Sequence, residues 1–210
     1  MHNVIPGILE KEWIEIERKL AIMRSFSNAV HIDFLDGKFC EETSLMDFAP
    51  FAKYQDDFFM EAHLMVEDPT HYVKQLAAVG FKRFLGQVEK MVDVDEFIAE
   101  GQIFGEVGLA IDSPTPISSL SVPFDDLDLV LLMGDKAGKS GQVFLPETLT
   151  KIKDLRLRTQ IPIEIDCGIN DLTIVPCKAA GANRFVTTSF IFESSDPLNS
   201  FEKLEGLIST

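Results

Sequence analysis

The stretch Ala29-Val30-His31-Ile32-Asp33-Phe34 carries the reading of the fold. It is a short apolar and β-branched run that ends in polar residues, the pattern of a brief strand. Seven more runs of this kind lie at residues 4–9, 58–66, 83–89, 106–111, 127–133, 161–166 and 184–189. Segments with helical signals lie between them. Residues 13–23 place Trp13, Ile14, Ile16, Leu20 and Ile22 on one face. Residues 70–80 start at Thr70, after Pro69, and stop at Gly80. Residues 146–158 carry Pro146 in their first turn, and residues 200–209 close the chain. Residues 172–182 end around Gly181, and Pro176 inside them is expected to kink or shorten that helix.

Strand then helix, repeated about eight times, predicts parallel strands joined by right-handed crossovers. An open doubly wound sheet is the competing architecture. No G-x-G-x-x-G follows the first strand, which counts against it. The expectation is one TIM-type (β/α)8 barrel over residues 1–210, a length near the lower end for that fold. No low-complexity linker divides the chain, and Asp125, Asp126 and Asp128 read as a solvated turn.

Hydrophobic residues make up 46% of the chain and charged residues 25%, an ordinary globular balance. A formal net charge of -15 argues against nucleic acid and anionic membrane as partners, because both call for clustered Lys and Arg. It leaves room for a small anion held by backbone N–H groups. Cys40, Cys167 and Cys177 are too few and odd in number for a disulfide framework. The first residues lack a basic segment followed by an apolar run, and no apolar stretch approaches the roughly 18 residues of a membrane span. A cytoplasmic protein is expected.

In a barrel the polar residues that end strands face the site. His31 and Asp33 are two apart and share one strand face. His63 lies near the end of the third run, and Asp166 ends the seventh. Alone, a His-x-Asp in a strand is more often a hydrogen-bonded pair than a metal site. Three coincidences at strand ends favour one divalent metal held by His31, Asp33, His63 and Asp166, with zinc, ferrous iron, manganese and cobalt all suited to two imidazoles and two carboxylates. His2 and His71 read as surface residues, and Asp36-Gly37 as a turn. The loop at residues 134–142, with Gly138, Lys139, Ser140 and Gly141, follows strand six and is placed to lie over a substrate. It is no Walker A loop, because Gly134 and Gly138 are separated by three residues rather than four. Loops after strands seven and eight, with Cys167, Gly168, Thr188 and Ser189, occupy the usual phosphate position of this fold.

In order along nearly the whole chain, HIDFLDGKF, EAHLMVEDP, GLAIDSPTP, GKSGQVFLPETLTKI, IEIDCGIN and AAGANRFVTTSFIF resemble the blocks of the ribulose-phosphate 3-epimerase family. The resemblance implies a metal-dependent ketose-phosphate epimerase of carbohydrate metabolism in the pentose phosphate pathway. It implies that His31, Asp33, His63 and Asp166 hold the metal and that Asp33 and Asp166 are the acid/base pair. Epimerisation beside a ketone removes a proton from one face of carbon and delivers one to the other through a cis-enediolate, whose charge a metal stabilises. Met65 and Met133 match methionines that line the family's site. The resemblance also implies a sugar phosphate as the small-molecule ligand and is compatible with a homo-oligomer.

Departures from the family pattern fall mostly on the substrate side. Gly7 stands for a usual Ser, Gln87 for His, Asp112 for Asn, Cys167 for Gly and Thr188 for Gly. Side chains at Cys167 and Thr188 would keep a phosphate from close backbone approach. Lys139, if turned inward, would supply charge instead. Ribulose 5-phosphate is the leading substrate. A hexulose 6-phosphate such as allulose 6-phosphate, or a barrel that binds a sugar phosphate without turnover, are the alternatives.

Overall fold

A computed structural model describes residues 3–139 and 141–209. Eight strands close into a barrel: β1 (Asn3–Ile8), β2 (Ala29–Leu35), β3 (Phe59–Met65), β4 (Phe81–Gln87), β5 (Glu106–Ile111), β6 (Leu129–Met133), β7 (Ile163–Asp166) and β8 (Arg184–Thr187). Every strand runs parallel to both neighbours, and β8 returns to β1. The chain is a TIM-type barrel, and the doubly wound alternative falls with its closure. Seven helices flank it: α1 (Trp13–Met23), α2 (Thr70–Ala78), α3 (Val94–Phe104), α4 (Thr148–Arg156), α5 (Ile174–Ala180), α6 (Ser189–Phe192) and α7 (Pro197–Ser209). No helix among the described residues is long and apolar enough to cross a membrane.

The repeat is imperfect in two places. β2 connects to β3 through a 3-10 helix, Ala49–Tyr54, and β5 connects to β6 through two short 3-10 turns. Aromatic rings cover the barrel where the β2–β3 helix is missing. Phe51 packs edge-on against Phe81 at 5.3 Å and Trp13 at 5.1 Å, and Phe48 packs edge-on against Phe34 at 5.0 Å. Helix α3 was not expected from periodicity. Its signal is Asp93, whose carboxylate accepts the Glu96 N–H at 2.9 Å. Helix α5 is shorter than its expected span, running from Ile174 to Ala180 with Pro176 in its first turn, where a missing N–H costs no helical bond. Helix α7 starts three residues earlier than its apolar pattern, with Pro197 as its first residue. The acidic turn at residues 124–126 is as expected, but Asp128 also accepts the Val107 N–H at 2.7 Å and so pins the start of β5 to that of β6.

Alternation along the strands sorts the side chains. Val30, Ile32 and Phe34 of β2, with Met60, Ala62 and Leu64 of β3, join the large core between strands and helices. Their neighbours His31, Asp33, Glu61 and His63 point into the barrel. One half of that interior is apolar, built from Leu85, Ala110, Leu129, Leu131 and Met133. The other half is ionic. Glu61 accepts from Arg83 Nη1 and, at 2.7 Å, from Arg184 Nη2, and Glu164 accepts from Arg184 Nε at 2.6 Å. The Glu61–Arg184 bond reaches between strands that are not neighbours, so it crosses the interior. Burial pushes the Glu61 carboxyl up, but His31, Arg184 and Arg83 outweigh it and hold it below the usual carboxylate range.

Removing one cation from this layer leaves buried carboxylate charge uncompensated. Arg184→Met is expected to lower the unfolding free energy by about 3 kcal/mol or more. Arg18→Met, which loses an exposed pair with Glu15, should change it by under about 1 kcal/mol in the same urea titration.

Candidate active site

The strand ends carry the site. In the β2–β3 register Asp33 stands beside His63, and in the β6–β7 register Met133 stands beside Asp166. One donor atom each from His31, Asp33, His63 and Asp166 falls in a group whose members all lie within 4.8 Å of one another, and all four residues are buried. His63 Nδ1 is 2.9 Å from Asp33 Oδ1. His31 Nε2 is 3.3 Å from the same oxygen but makes no hydrogen bond among the described residues.

The far nitrogen of each imidazole is held from behind. His31 Nδ1 meets Glu61 Oε1 at 2.9 Å, and His63 Nε2 meets Gln87 Oε1 at 2.8 Å. Both acceptors are oxygens, so each far nitrogen carries a proton and each near nitrogen is the one available to a cation in the cluster. A buried, orphaned imidazole nitrogen facing two carboxylates fits a divalent metal ion by its donor chemistry.

The electrostatics agree with that fit. Burial opposes charge on His31, yet the carboxylates of Asp33, Glu164 and Glu61 around its ring raise its basicity well above the ordinary imidazole value. The pocket asks for positive charge, which a metal cation would supply in place of the proton. The two carboxylates diverge. Burial raises Asp33, but the imidazoles of His31 and His63 against it hold it well below the usual range. Burial, reinforced by the Asp33 charge, pushes Asp166 up to about 6.

A cleft opens above the cluster, with Asp33 and Asp166 in its wall. Met65 and Met133 line it on the apolar side. Gly138, Lys139 and Gly141 come from the loop after β6, Cys167 and Gly168 from the loop after β7, and Thr188 and Ser189 from the end of β8. Ser140 lies outside the described residues. Gly7 does not line the cleft. A Cβ there would meet Thr188 Oγ1 at 2.5 Å and Val186 Cγ1 at 2.9 Å, so the Thr188 side chain fills the space above it. Lys139 sits on the rim, its ammonium paired with Glu42 at 2.8 Å. Leu9, Ile169, Val186 and Thr187 also line the cleft and were not singled out; each adjoins a strand end, which is the only signal they carry. Cys167 adopts φ +79°, a left-handed backbone that favours glycine, and its N–H donates to Asp166 Oδ1 at 2.6 Å. Asp36 holds a turn together, accepting N–H bonds from Lys38, Phe39 and Glu67. His71 is exposed, and His2 lies outside the described residues.

Residues 3–192 match the model of the Ribulose-phosphate 3 epimerase family. The chain belongs to this family. Ribulose-phosphate 3-epimerase from Schizosaccharomyces pombe is 29% identical over 202 residues, covering 93% of this chain and 89% of that protein. The Bacillus subtilis protein of the same name is 28% identical over 215 residues, covering 98% and 99%. The Chlamydia pneumoniae one is 32% identical over 180 residues, covering 80% and 77%. Among solved structures, KGPDC from Streptococcus mutans superposes with a TM-score of 0.74 at 10% identity, covering 99% of this chain and 97% of that one. 3-Hexulose-6-Phosphate Synthase does so with a TM-score of 0.72 at 14% identity, covering 99% and 100%. At such identity the likeness is one of fold. The epimerase family places the chain among isomerases that act on sugar phosphates.

The divergence of the two carboxylates has a direct readout. In metal-free protein the carboxyl carbon of Asp166 should titrate by NMR with an apparent midpoint near pH 6, and an added divalent cation should move that midpoint down by displacing the proton. A midpoint at the ordinary Asp value without metal would contradict the assigned environment.

Proposed function

We propose that this protein is a metal-dependent ketose-phosphate 3-epimerase that interconverts D-ribulose 5-phosphate and D-xylulose 5-phosphate. The observation that carries the reading is the pair Asp33 and Asp166. They enter one cleft from different strands, and their surroundings drive their proton affinities apart. Two groups so divided suit one acid and one base. Asp33, kept ionised by His31 and His63, takes the proton from the carbon beside the ketone. Asp166, whose carboxyl burial pushes up to about 6, delivers a proton to the opposite face. The reverse reaction exchanges the roles. When bound by His31, Asp33, His63 and Asp166, a divalent metal (zinc, ferrous iron, manganese or cobalt) supplies Lewis-acid stabilisation of the negative charge that develops on the ketone oxygen.

Other residues position the substrate in this reading. Met65 and Met133 form a soft apolar floor against the sugar carbons. The phosphate end lies toward Gly138, Gly141, Gly168, Thr188 and Ser189, with Lys139 and Ser140 in the covering loop. Thr188 takes the polar role that its side chain denies to position 7. The reading treats residues 1–210 as one catalytic domain and places the protein in the pentose phosphate pathway, in the cytoplasm, as a homo-oligomer. It gives nucleic acid and membrane no part, in keeping with the net charge of -15.

A second substrate is favoured by one feature. The side chains at Cys167 and Thr188 reshape the phosphate side, which suits a longer ketose phosphate such as allulose 6-phosphate.

Metal-reconstituted protein should epimerise ribulose 5-phosphate, and Asp33→Asn and Asp166→Asn should each cut kcat by about 10²–10⁴-fold. A higher kcat/KM on allulose 6-phosphate would select the second substrate. No turnover of either, with metal bound, would make the barrel a sugar-phosphate-binding protein.

A further inference from the structure

Behind His63 a hydrogen-bonded line leaves the metal cluster and ends in the loop that covers the cleft. His63 Nε2 donates to Gln87 Oε1 at 2.8 Å, and Gln87 Nε2 donates to Asp112 Oδ1 at 3.0 Å. The same Asp112 oxygen accepts the Ala137 N–H at 2.7 Å. Ala137 immediately precedes Gly138 and Lys139, which line the cleft. Its methyl group packs against both apolar clusters of the site, one containing Met133 and the other Met65.

The line has only one consistent sense. Gln87 is fully buried, so both ends of its amide need partners. The Asp112 oxygen already takes one N–H, so it calls for the amide nitrogen. The amide carbonyl must then face His63, which assigns a proton to His63 Nε2 and leaves Nδ1, 2.9 Å from Asp33 Oδ1, as the nitrogen available to a metal. A carboxylate two residues removed from the cluster thus sets the tautomer of a candidate ligand. Asp112 is itself anchored. Its N–H donates to Glu89 Oε1 at 2.7 Å, and Lys151 Nζ donates to the carbonyl oxygens of Asp112, Ser113 and Thr115. It is a fixed post with two arms, one to the imidazole and one to the loop.

We propose that Asp112 is a positioning residue that couples metal binding to the order of the loop segment at residues 134–139. The proposal rests on the metal-dependent reading of the site. Through Gln87 it presents His63 Nδ1 to the metal, and through the Ala137 N–H it holds Gly138 over the cleft. Strain or disorder at either arm is felt at the other, because both meet on one oxygen.

The test needs no substrate. Affinity for Co(II) is read by chelator competition, and loop order by the rate of tryptic cleavage after Lys136 and Lys139. Asp112→Ala should weaken Co(II) binding by about 10- to 100-fold and speed loop cleavage. Asp112→Asn keeps an acceptor oxygen and should stay near wild type in both, which separates loss of the line from loss of fold. Gln87→Leu keeps the Ala137 arm but cuts the His63 arm. Wild-type protein should gain loop protection on adding Co(II), and Gln87→Leu should gain none at saturating metal. Unchanged Co(II) affinity in Asp112→Ala, or equal metal-induced protection in Gln87→Leu, overturns the coupling and leaves the epimerase reading standing. Failure of wild-type protein to bind Co(II) overturns both.

Discussion

Buried charge inside a closed barrel has to be neutralised by other side chains, and the rest of this structure is arranged around that need. Glu61 and Glu164 point into the interior, where water is scarce and an unpaired carboxylate is costly. Arg83 and Arg184 reach them from β4 and β8, and His31 closes the set from above. The ionic half of the barrel therefore cannot slip in register without parting cations from anions. The apolar half, around Leu85, Leu129 and Leu131, tolerates a slip no better, because a shift of one residue would turn its side chains outward.

This layer also supports the chemistry above it. Glu61 orients His31, and Gln87 orients His63, so each imidazole turns its other nitrogen to the cleft. Asp33 sits against both rings and stays ionised, while Asp166 sits across the cleft, backed by the Cys167 N–H and facing the Asp33 charge. One buried environment thus produces two carboxylates of divergent proton affinity in a chain that belongs to an epimerase family.

Much of this was legible in the chain. The eight strands lie where their apolar runs lie, and His31, Asp33, His63 and Asp166 meet as their positions at strand ends imply. What escaped the reading was information carried by contacts. Helix α3 was missed because its apolar face is weakly patterned, although the Asp93-to-Glu96 cap marks its start. The β2–β3 connection was not read as the packed aromatic crossover it is, since Phe48 and Phe51 gain meaning only beside Phe34, Phe81 and Trp13. Gly7 looked like a site residue by its place in the pattern, but the Thr188 side chain stands over it.

Local sequence alone determined the order of the eight strands, most of the helices between them and the face on which each strand-end polar residue lies, because those follow from a periodicity of two along a strand and from start and stop signals of helices. It also determined the candidate ligand set, since His31 and Asp33 share a face whatever lies opposite. Only the tertiary structure decided which nitrogen of each histidine faces the cleft, which carboxylate holds its proton, and where the Lys139 charge goes. Those depend on groups distant along the chain, such as Gln87, 24 residues from His63, and Glu42, 97 residues from Lys139, and no short-range pattern specifies a partner that chain closure alone brings within hydrogen-bonding distance.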